Sequence, residues 1–185
     1  MRLNRMTTLL VLVLFLAPLI PSTPESFEPR NVAEVDARNS DIVVSELFRS
    51  PNQLKSNATN SNIYNAVDWN SDGDYGKYSD QFIELWNTGS SPVNVSDWVL
   101  SSTSGSPPCQ LAWNTVIDPD QRIVVFSADS DIILSYFDEE TVSITDTSNT
   151  LANSMTIPKE FGFYGNSIVI DSSGTAVEVD PSPGW

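Results

Sequence analysis

Short apolar segments separated by turn residues fill the chain from Asp41 onward. The segments are rich in Val, Ile, Phe and Trp, alternate in part with polar positions, and read "DIVVSELF", "QFIELWN", "VNVSDWVL", "RIVVF", "TVSIT" and "SIVID". Between them lie Gly, Pro, Asn and Asp, which favour turns. One stretch, "SADSDIILSYFDEE", is predicted to hold a short turn of helix. This pattern predicts an all-β domain built as a β-sandwich.

The alternation of side chains along a strand predicts which residues face the core. The predicted inward set is Ile83, Leu85, Val95, Trp98, Leu100, Val124, Phe126 and Val169. Phe82 and Trp86 are predicted on the opposite face of their strand, together with Glu84. Glu84 has three candidate roles: to pair with Arg122, to accept hydrogen bonds at a strand end, or to turn toward an acidic loop.

The first residues are typical of a secretory signal peptide. Two arginines precede the apolar run "LLVLVLFLAPLI", and the polar "PSTPES" follows it. This order predicts a signal peptide over residues 1–24. The run is shorter than the ~20 residues that span a bilayer, so we expect no stable membrane span after its removal. We expect residues 25–40 to form an exposed linker, residues 41–185 to form the folded domain, and the protein to be secreted or held at the cell surface.

Charge and composition exclude several classes of protein. The chain has 9 Lys and Arg against 24 Asp and Glu, a formal net charge of −15 at pH 7. Such a surface repels phosphate backbones, so nucleic acid is not an expected partner. The chain has no histidine, which excludes Ser-His-Asp and Cys-His catalysis and any imidazole-ligated metal. The single cysteine, Cys109, cannot form an internal disulfide and is predicted to be a small apolar filler.

The segment "DWNSDGDYGKYSD", Asp68 to Asp80, concentrates oxygen ligands in one loop. It reproduces the opening D-x-[DN]-x-[DN]-G of a calcium-binding loop. The usual closing glutamate is absent, since Ser79 is twelfth and Asp80 follows it. The loop predicts a Ca²⁺ site with the ligands Asp68, Asn70, Asp72, Asp74 and Asp80. The alternative is a solvated acidic turn, which leaves the mutual repulsion of the carboxylates offset only by Lys77.

These segments together resemble the lamin-tail domain family, in its prokaryotic secreted type. The specific block is "DQFIELWNTGSSPVNVSDWVLSS"; supporting elements are Ser45–Leu47, Ile117–Asp120 and Ile168–Gly174. The resemblance covers residues 41–185 and implies an immunoglobulin-like β-sandwich. Aspartates stand in the Ile117–Asp120 turn where the family usually has Pro and Gly. Prokaryotic members often carry an acidic loop before the matching strand. The resemblance therefore supports the prediction that the loop binds calcium.

Two classes of function compete. The first is a non-catalytic binding or adhesion module with a calcium-stabilised loop, whose partner is a protein or polysaccharide at the cell surface. The second is a metal-dependent hydrolase that uses carboxylates alone. The lack of histidine and of any nucleophile motif favours the first, and we assign no catalytic or cofactor-binding residue. A third reading is one truncated module of a larger surface protein.

Two N-glycosylation motifs and one acidic run are weaker signals in the sequence. Asn57 and Asn94 begin N-glycosylation motifs, and Asn94 is expected in or beside a strand. Asp138, Glu139 and Glu140 are predicted to form a solvated loop rather than an acid–base site.

Overall fold

The computed structural model describes residues 40–51, 67–74, 78–163 and 165–184. The predicted signal peptide, most of the predicted linker and the Asn57 motif lie outside these ranges. In chain order the described elements are β1 (Ile42–Phe48), β2 (Phe82–Asn87), β3 (Val93–Asn94), β4 (Val99–Ser102), β5 (Cys109–Gln110), β6 (Val116–Ile117), β7 (Arg122–Phe126), α1 (Ser127–Ser130), β8 (Glu140–Thr145), β9 (Leu151–Ile157), β10 (Ser167–Ile170) and β11 (Ala176–Val179). The all-β prediction is therefore confirmed, as is the short helical turn. Asn94 lies in β3, as expected.

The strands form two larger sheets and one small one. The first sheet has the order β11-β10-β1-β2-β7, the second has β5-β4-β8-β9, and β3 pairs with β6. All of these pairings are antiparallel. Because β2, β4, β7, β8 and β10 alternate between the two larger sheets, the chain crosses repeatedly from one sheet to the other.

Both larger sheets bury side chains in one hydrophobic cluster. The first sheet contributes Ile42, Val44, Leu47, Ile83, Leu85 and Ile168, and the second contributes Leu100, Val142, Ile144, Met155 and Ile157. Each such side chain adds roughly 1.5–3 kcal/mol when it leaves water. The predicted inward positions of Ile83, Leu85, Val95 and Leu100 are correct, and Trp98 packs against the cluster.

The inward prediction is wrong for Val124, Phe126 and Val169. In the observed register these three pair with the outward-facing residues Glu84, Phe82 and Glu46. Their neighbours occupy or pack against the core instead: Ile123, Val125 and Ile168. The strand "RIVVF" is apolar at four successive positions, so alternation alone cannot tell its two faces apart.

A bulge in β1 sets which face each of its later residues takes. The pairing of β1 with β2 shifts register between Val44 and Glu46. The extra residue, Ser45, lets Val44 and Leu47 both enter the core while Glu46 and Phe48 point to the outer face of the sheet. Glu46 and Glu84 are thereby cross-strand neighbours on that face.

The turn between β6 and β7 is built around an aspartate with an uncommon backbone conformation. Asp120 has φ of 61°, in the left-handed region that glycine occupies most readily. Aspartate tolerates this conformation, and its Oδ1 accepts a hydrogen bond from Trp86 Nε1 at 3.1 Å. The aspartate therefore supplies the indole of Trp86 with a partner that glycine lacks.

Candidate functional site

The acidic loop closes on itself through hydrogen bonds between its carboxylates and its own backbone. Asp68 accepts from the N–H groups of Asp72 and Gly73 at 3.1 and 2.9 Å. Asp72 accepts from the N–H of Asp74 at 2.7 Å and from the amide of Asn70 at 2.7 Å. Gly73 has φ of 85°, which allows the chain to turn at this point. The loop is thus a defined turn over residues 68–74, and residues 75–77 lie outside the described part.

Asp80 joins this loop to the first sheet. Its Oδ1 accepts from Trp69 N–H at 2.7 Å. Its Oδ2 is buried and has no hydrogen-bond partner among the described residues. Burial raises the pKa of the Asp80 carboxyl, and the charges of Asp68 and Asp72 raise it further, against hydrogen bonds that lower it. A buried carboxylate oxygen without a donor is costly, so this oxygen has a physical reason to take up a cation or a proton.

Aromatic rings hold the loop against the outer face of the first sheet. Trp69 contacts Phe48 edge-on, with centroids 5.7 Å apart and planes at 79°. Phe48 packs on Phe82 at 5.1 Å, and Phe82 packs on Phe126 at 5.8 Å. Edge-to-face and tilted pairs of this kind are favourable beyond their area of burial. Phe48 therefore anchors the acidic loop through Trp69, and Phe82, predicted on the outer face, packs against Phe48.

The predicted calcium ligands are only partly brought together. Asp68, Asn70, Asp72 and Asp80 share one hydrogen-bonded loop, whereas Asp74 enters it through its backbone alone in the bonds above. Among the described residues no group of three or more acidic or cysteine side chains is placed to hold a metal ion. The donor types and the unpaired oxygen of Asp80 fit a hard cation, and the calcium site stays a prediction.

Gln81, the next residue along, ties a different loop to the same strand. Its amide nitrogen donates to the carbonyls of Arg49 and Leu134 at 2.6 and 3.0 Å. Its Oε1 accepts from Leu134 N–H at 2.9 Å. The Gln81 carbonyl accepts from Ser127 N–H at 2.9 Å. The fully buried Gln81 side chain thus fixes the segment that follows α1.

That segment forms an aromatic groove beside the acidic loop. The groove is lined by Tyr78, Ser104, Ser106, Ile133, Tyr136 and Phe137 and has a volume of about 400 Å³. Tyr78 meets Tyr136 edge-on at 5.7 Å, and Phe137 lies 6.0 Å from Tyr136. Phe137 is 61% exposed and Ile133 is 42% exposed. Burial raises the pKa of Tyr136, so its phenol is neutral throughout the physiological range.

Arg49 stabilises the segment that forms the aromatic groove. Its side chain is fully buried, and its guanidinium donates to carbonyls of two loops: Ser135 and Asp138 in one, Pro158, Lys159 and Phe161 in the other. The guanidinium also lies 4.8 Å from the ring centroid of Phe163. Burial lowers the pKa of Arg49, while Glu140, Glu178 and Asp138 raise it. Sequence reasoning missed this residue, because a lone arginine after a strand is more often exposed.

The prediction that Asp138, Glu139 and Glu140 form a solvated loop is wrong for Glu140. It is buried at the start of β8, where its Oε1 accepts from Ser102 Oγ and its Oε2 accepts from Ser135 N–H at 2.5 Å. Asp138 and Glu139 remain exposed. The signal in the sequence was the apolar alternation that begins immediately after Glu140, which places this residue inside a strand.

A second pair of buried carboxylates lies on the outer face of the first sheet. Glu84 pairs with Arg122 at 3.2 Å, which confirms one of its predicted roles, and accepts from Ser45 Oγ at 2.6 Å. Glu46 accepts from Ser182 N–H and Oγ at 2.9 and 2.8 Å, and Glu84 accepts from Gly184 N–H at 2.8 Å. The segment after β11 therefore crosses the sheet and caps both carboxylates.

Cys109 behaves as a structural residue. It packs against the hydrophobic core from β5, and burial followed by the charge of Asp131 raises the pKa of its thiol. A raised pKa keeps the thiol protonated and unreactive.

Comparison with protein-family models, with curated proteins and with solved structures found no match for this chain. The lamin-tail resemblance therefore stays a prediction that these comparisons leave untested. None of the helices in the described residues is long and apolar enough to span a membrane.

Proposed function

We propose that this chain is a non-catalytic, secreted or cell-surface binding module with an immunoglobulin-like, lamin-tail-like sandwich fold. The fold assignment is supported by two antiparallel sheets that share one core and by a chain that crosses repeatedly between them. The secreted location is supported by the sequence of residues 1–24.

The observation that carries the proposal is the aromatic groove, in which Tyr78, Ile133 and Phe137 are exposed beside the buried ring of Tyr136. Contiguous exposed apolar side chains on a soluble domain are unfavourable in water and mark interaction sites. Ile133, Tyr136 and Phe137 stand on the segment after α1, which the buried Gln81 and Arg49 fix. A rigid groove loses little conformational entropy when a partner binds, which favours affinity.

The chemistry of the groove favours a protein partner over a polysaccharide. Ile133 offers an aliphatic side chain beside the rings, although Ser104 and Ser106 also line the groove. Tyr and Phe are enriched at protein interfaces. The exposed Asp138 follows the lining residue Phe137 along the chain, and the chain carries a net charge of −15. The partner is therefore a protein that presents an apolar side chain within a basic rim.

Calcium in the acidic loop would stiffen one wall of this groove. Tyr78 lines the groove, and it precedes Asp80 by two residues. Its carbonyl accepts from Gln81 N–H at 3.2 Å. A cation bound at the unpaired oxygen of Asp80 would offset the repulsion that Asp68 and Asp72 exert on it and limit the motion of the chain that carries Tyr78.

The proposal is tested by retention of envelope proteins on the immobilised, purified protein, followed by affinity measurement with the retained partner. Phe137→Ala should weaken binding about 30-fold, the effect of losing a central apolar contact. Trp113→Ala is the matched control, since Trp113 is also an exposed aromatic residue but lines a different cavity. Chelation of calcium should weaken binding in wild type.

Retention that is equal in wild type and Phe137→Ala would contradict the proposal. Retention that survives complete protease digestion of the envelope fraction would assign the groove to polysaccharide instead.

A further inference from the structure

A third region, separate from the acidic loop and the aromatic groove, combines an exposed tryptophan with polar side chains that can bind a ligand. This Trp113 cleft is lined by Asn94, Ser96, Asp97, Trp98, Trp113, Asn114 and Thr147 and has a volume of about 370 Å³. That volume lies at the lower end of the range for small-molecule sites. Trp113 is 82% exposed, the largest exposure among the large apolar side chains of the described residues.

The turn that carries Trp113 is rigidly attached although its indole is exposed. Thr115 N–H donates to Ser96 Oγ at 3.1 Å, and Thr115 Oγ1 donates to the Ala112 carbonyl at 2.7 Å. Val95 N–H donates to the Thr115 carbonyl at 2.9 Å. Ser96 Oγ in turn donates to Asn94 Oδ1 at 2.5 Å. The two loops that border the cleft are thus held together by side chains of the cleft itself.

Two residues of the cleft adopt backbone conformations that are uncommon for residues other than glycine. Asp97 has φ of 62° and Asn114 has φ of 65°. Both belong to the residue types that tolerate this region, and such conformations concentrate where a side chain must be aimed. The Asp97 carboxylate accepts from Gln110 Nε2 at 3.1 Å through Oδ1. Its other oxygen and the amide nitrogen of Asn94 make no hydrogen bond among the described residues.

From this arrangement we propose that the Trp113 cleft binds a neutral hexopyranose unit of a polysaccharide. A pyranose ring has an apolar face of C–H groups that packs on an indole, and a rim of hydroxyl groups that both donate and accept. Asp97 accepts from such hydroxyls, and Asn94 and Asn114 donate to them. Trp113 supplies the large, rigid surface at low entropic cost.

The charge of the chain decides between neutral and anionic sugars. With a net charge of −15 and Asp97 in the cleft, a uronic acid or a sulfated sugar would meet like charge. An ammonium ligand would pair with Asp97, yet it would leave the amide donors of Asn94 and Asn114 without acceptors. The hydroxyl groups of a neutral sugar satisfy both kinds of group.

The test is isothermal titration of the purified protein with cellohexaose, mannohexaose and xylohexaose, beside an oligogalacturonate of the same length. We expect saturable binding to at least one neutral hexaose and none to the oligogalacturonate. Trp113→Ala should weaken that binding by at least about tenfold, and Asp97→Asn should weaken it several-fold. Because Trp113 is exposed, its replacement should leave the unfolding curve almost unchanged.

Phe137→Ala is the matched control and should bind the sugar as wild type does. The sugar-binding proposal can therefore fail without the proposal for the aromatic groove failing, and the reverse. Absence of binding to all three neutral sugars would overturn the inference. So would equal affinities of wild type and Trp113→Ala, or tighter binding of the oligogalacturonate.

Discussion

Asp80 and Gln81 are consecutive residues, both fully buried, whose side chains hold two different loops. Asp80 binds the backbone of Trp69 in the acidic loop, and Gln81 binds the backbone of Leu134 in the segment that forms the aromatic groove. The two residues share one peptide unit immediately before β2, so we expect that ordering of the acidic loop would also limit the motion of the groove. If calcium and a partner bind as proposed, this link predicts that the two binding events are energetically coupled.

The first prediction concerns Asp80→Asn. The variant keeps Oδ1 for Trp69 N–H but removes the unpaired buried charge. In chelator it should be at least as stable as wild type, and Ca²⁺ should no longer raise its melting temperature. Wild type should gain about 2.7 kcal/mol when Ca²⁺ exceeds its Kd by about a hundredfold, with a Kd of roughly 10⁻⁴–10⁻³ M. Differential scanning calorimetry with and without Ca²⁺ measures both effects.

Asp129→Asn is the matched control, because Asp129 is an exposed aspartate in α1. It should keep the full response to Ca²⁺. A wild-type melting temperature that is unchanged in millimolar Ca²⁺ would remove calcium from the proposal and leave the loop as a solvated acidic turn.

The second prediction concerns Gln81→Leu. The substitution preserves volume approximately but leaves the buried carbonyls of Arg49 and Leu134 without the Gln81 donor. The free energy of unfolding should fall by about 2–4 kcal/mol, as expected for several lost buried hydrogen bonds. Urea denaturation measures this loss, and Gln110→Leu, at an exposed position of β5, should stay within about 0.5 kcal/mol of wild type. Similar losses in both variants would show that Gln81 is not the tether.

The third prediction concerns Arg49→Met. Five carbonyls of two loops lose a charged donor, so the free energy of unfolding should fall by about 3–5 kcal/mol. Arg122→Met is the comparison, since Arg122 is partly exposed and mainly contacts Glu84 and the Trp86 ring. Its loss should be smaller, about 1–2 kcal/mol, because Ser45 and Gly184 still donate to the buried Glu84. Equal losses in urea denaturation would mean that the bonds from Arg49 contribute little net stability.

The fourth prediction concerns the pH dependence of stability. Burial raises the pKa of Glu84 above its ordinary value of 4.5, with Glu46 adding to the rise and Ser45, Gly184 and Arg122 opposing it. The folded state then holds this proton more tightly than the unfolded state. The contribution of Glu84 is therefore most favourable below pH 4.5 and is lost as the pH rises through the folded pKa.

In chelator, the free energy of unfolding of wild type should decline from pH about 4 to pH about 7 more steeply than that of Glu84→Gln. Asp129→Asn should follow wild type, since Asp129 is exposed. Urea denaturation across this range gives the slopes, and parallel curves for wild type and Glu84→Gln would refute the assignment to Glu84.

The sequence predicted strands well where one face is apolar and the other polar. "FIELWN" alternates cleanly, so the inward positions of Ile83 and Leu85 and the outward positions of Phe82, Glu84 and Trp86 were all correct. In β7, apolar side chains on both faces remove the alternation. β9, "LANSMTI", was missed because Asn153 and Ser154 interrupt its apolar pattern although both are buried. Asn153 is placed there to accept from Val44 N–H in β1, a contact between distant segments.

Of the candidate sites, only the acidic loop could be predicted from the sequence. The acidic loop was visible because its ligands are close in sequence and their spacing is characteristic. The aromatic groove and the Trp113 cleft were not, since each combines side chains from separate loops. Trp113 and Phe137 appear in the sequence as ordinary apolar residues, and only the packed structure leaves them exposed.

Local composition and spacing by themselves determined that the described domain is all-β, that its turns are rich in Asp, Asn and Gly, and where an acidic loop precedes β2. These are properties of neighbouring residues, which share backbone geometry. Tertiary structure decided the face of β7, the burial of Arg49 and Glu140, and the assembly of the aromatic groove and the Trp113 cleft. These features depend on the register between distant strands and on which carbonyl groups remain unpaired after the sheets form. A short stretch of sequence determines neither.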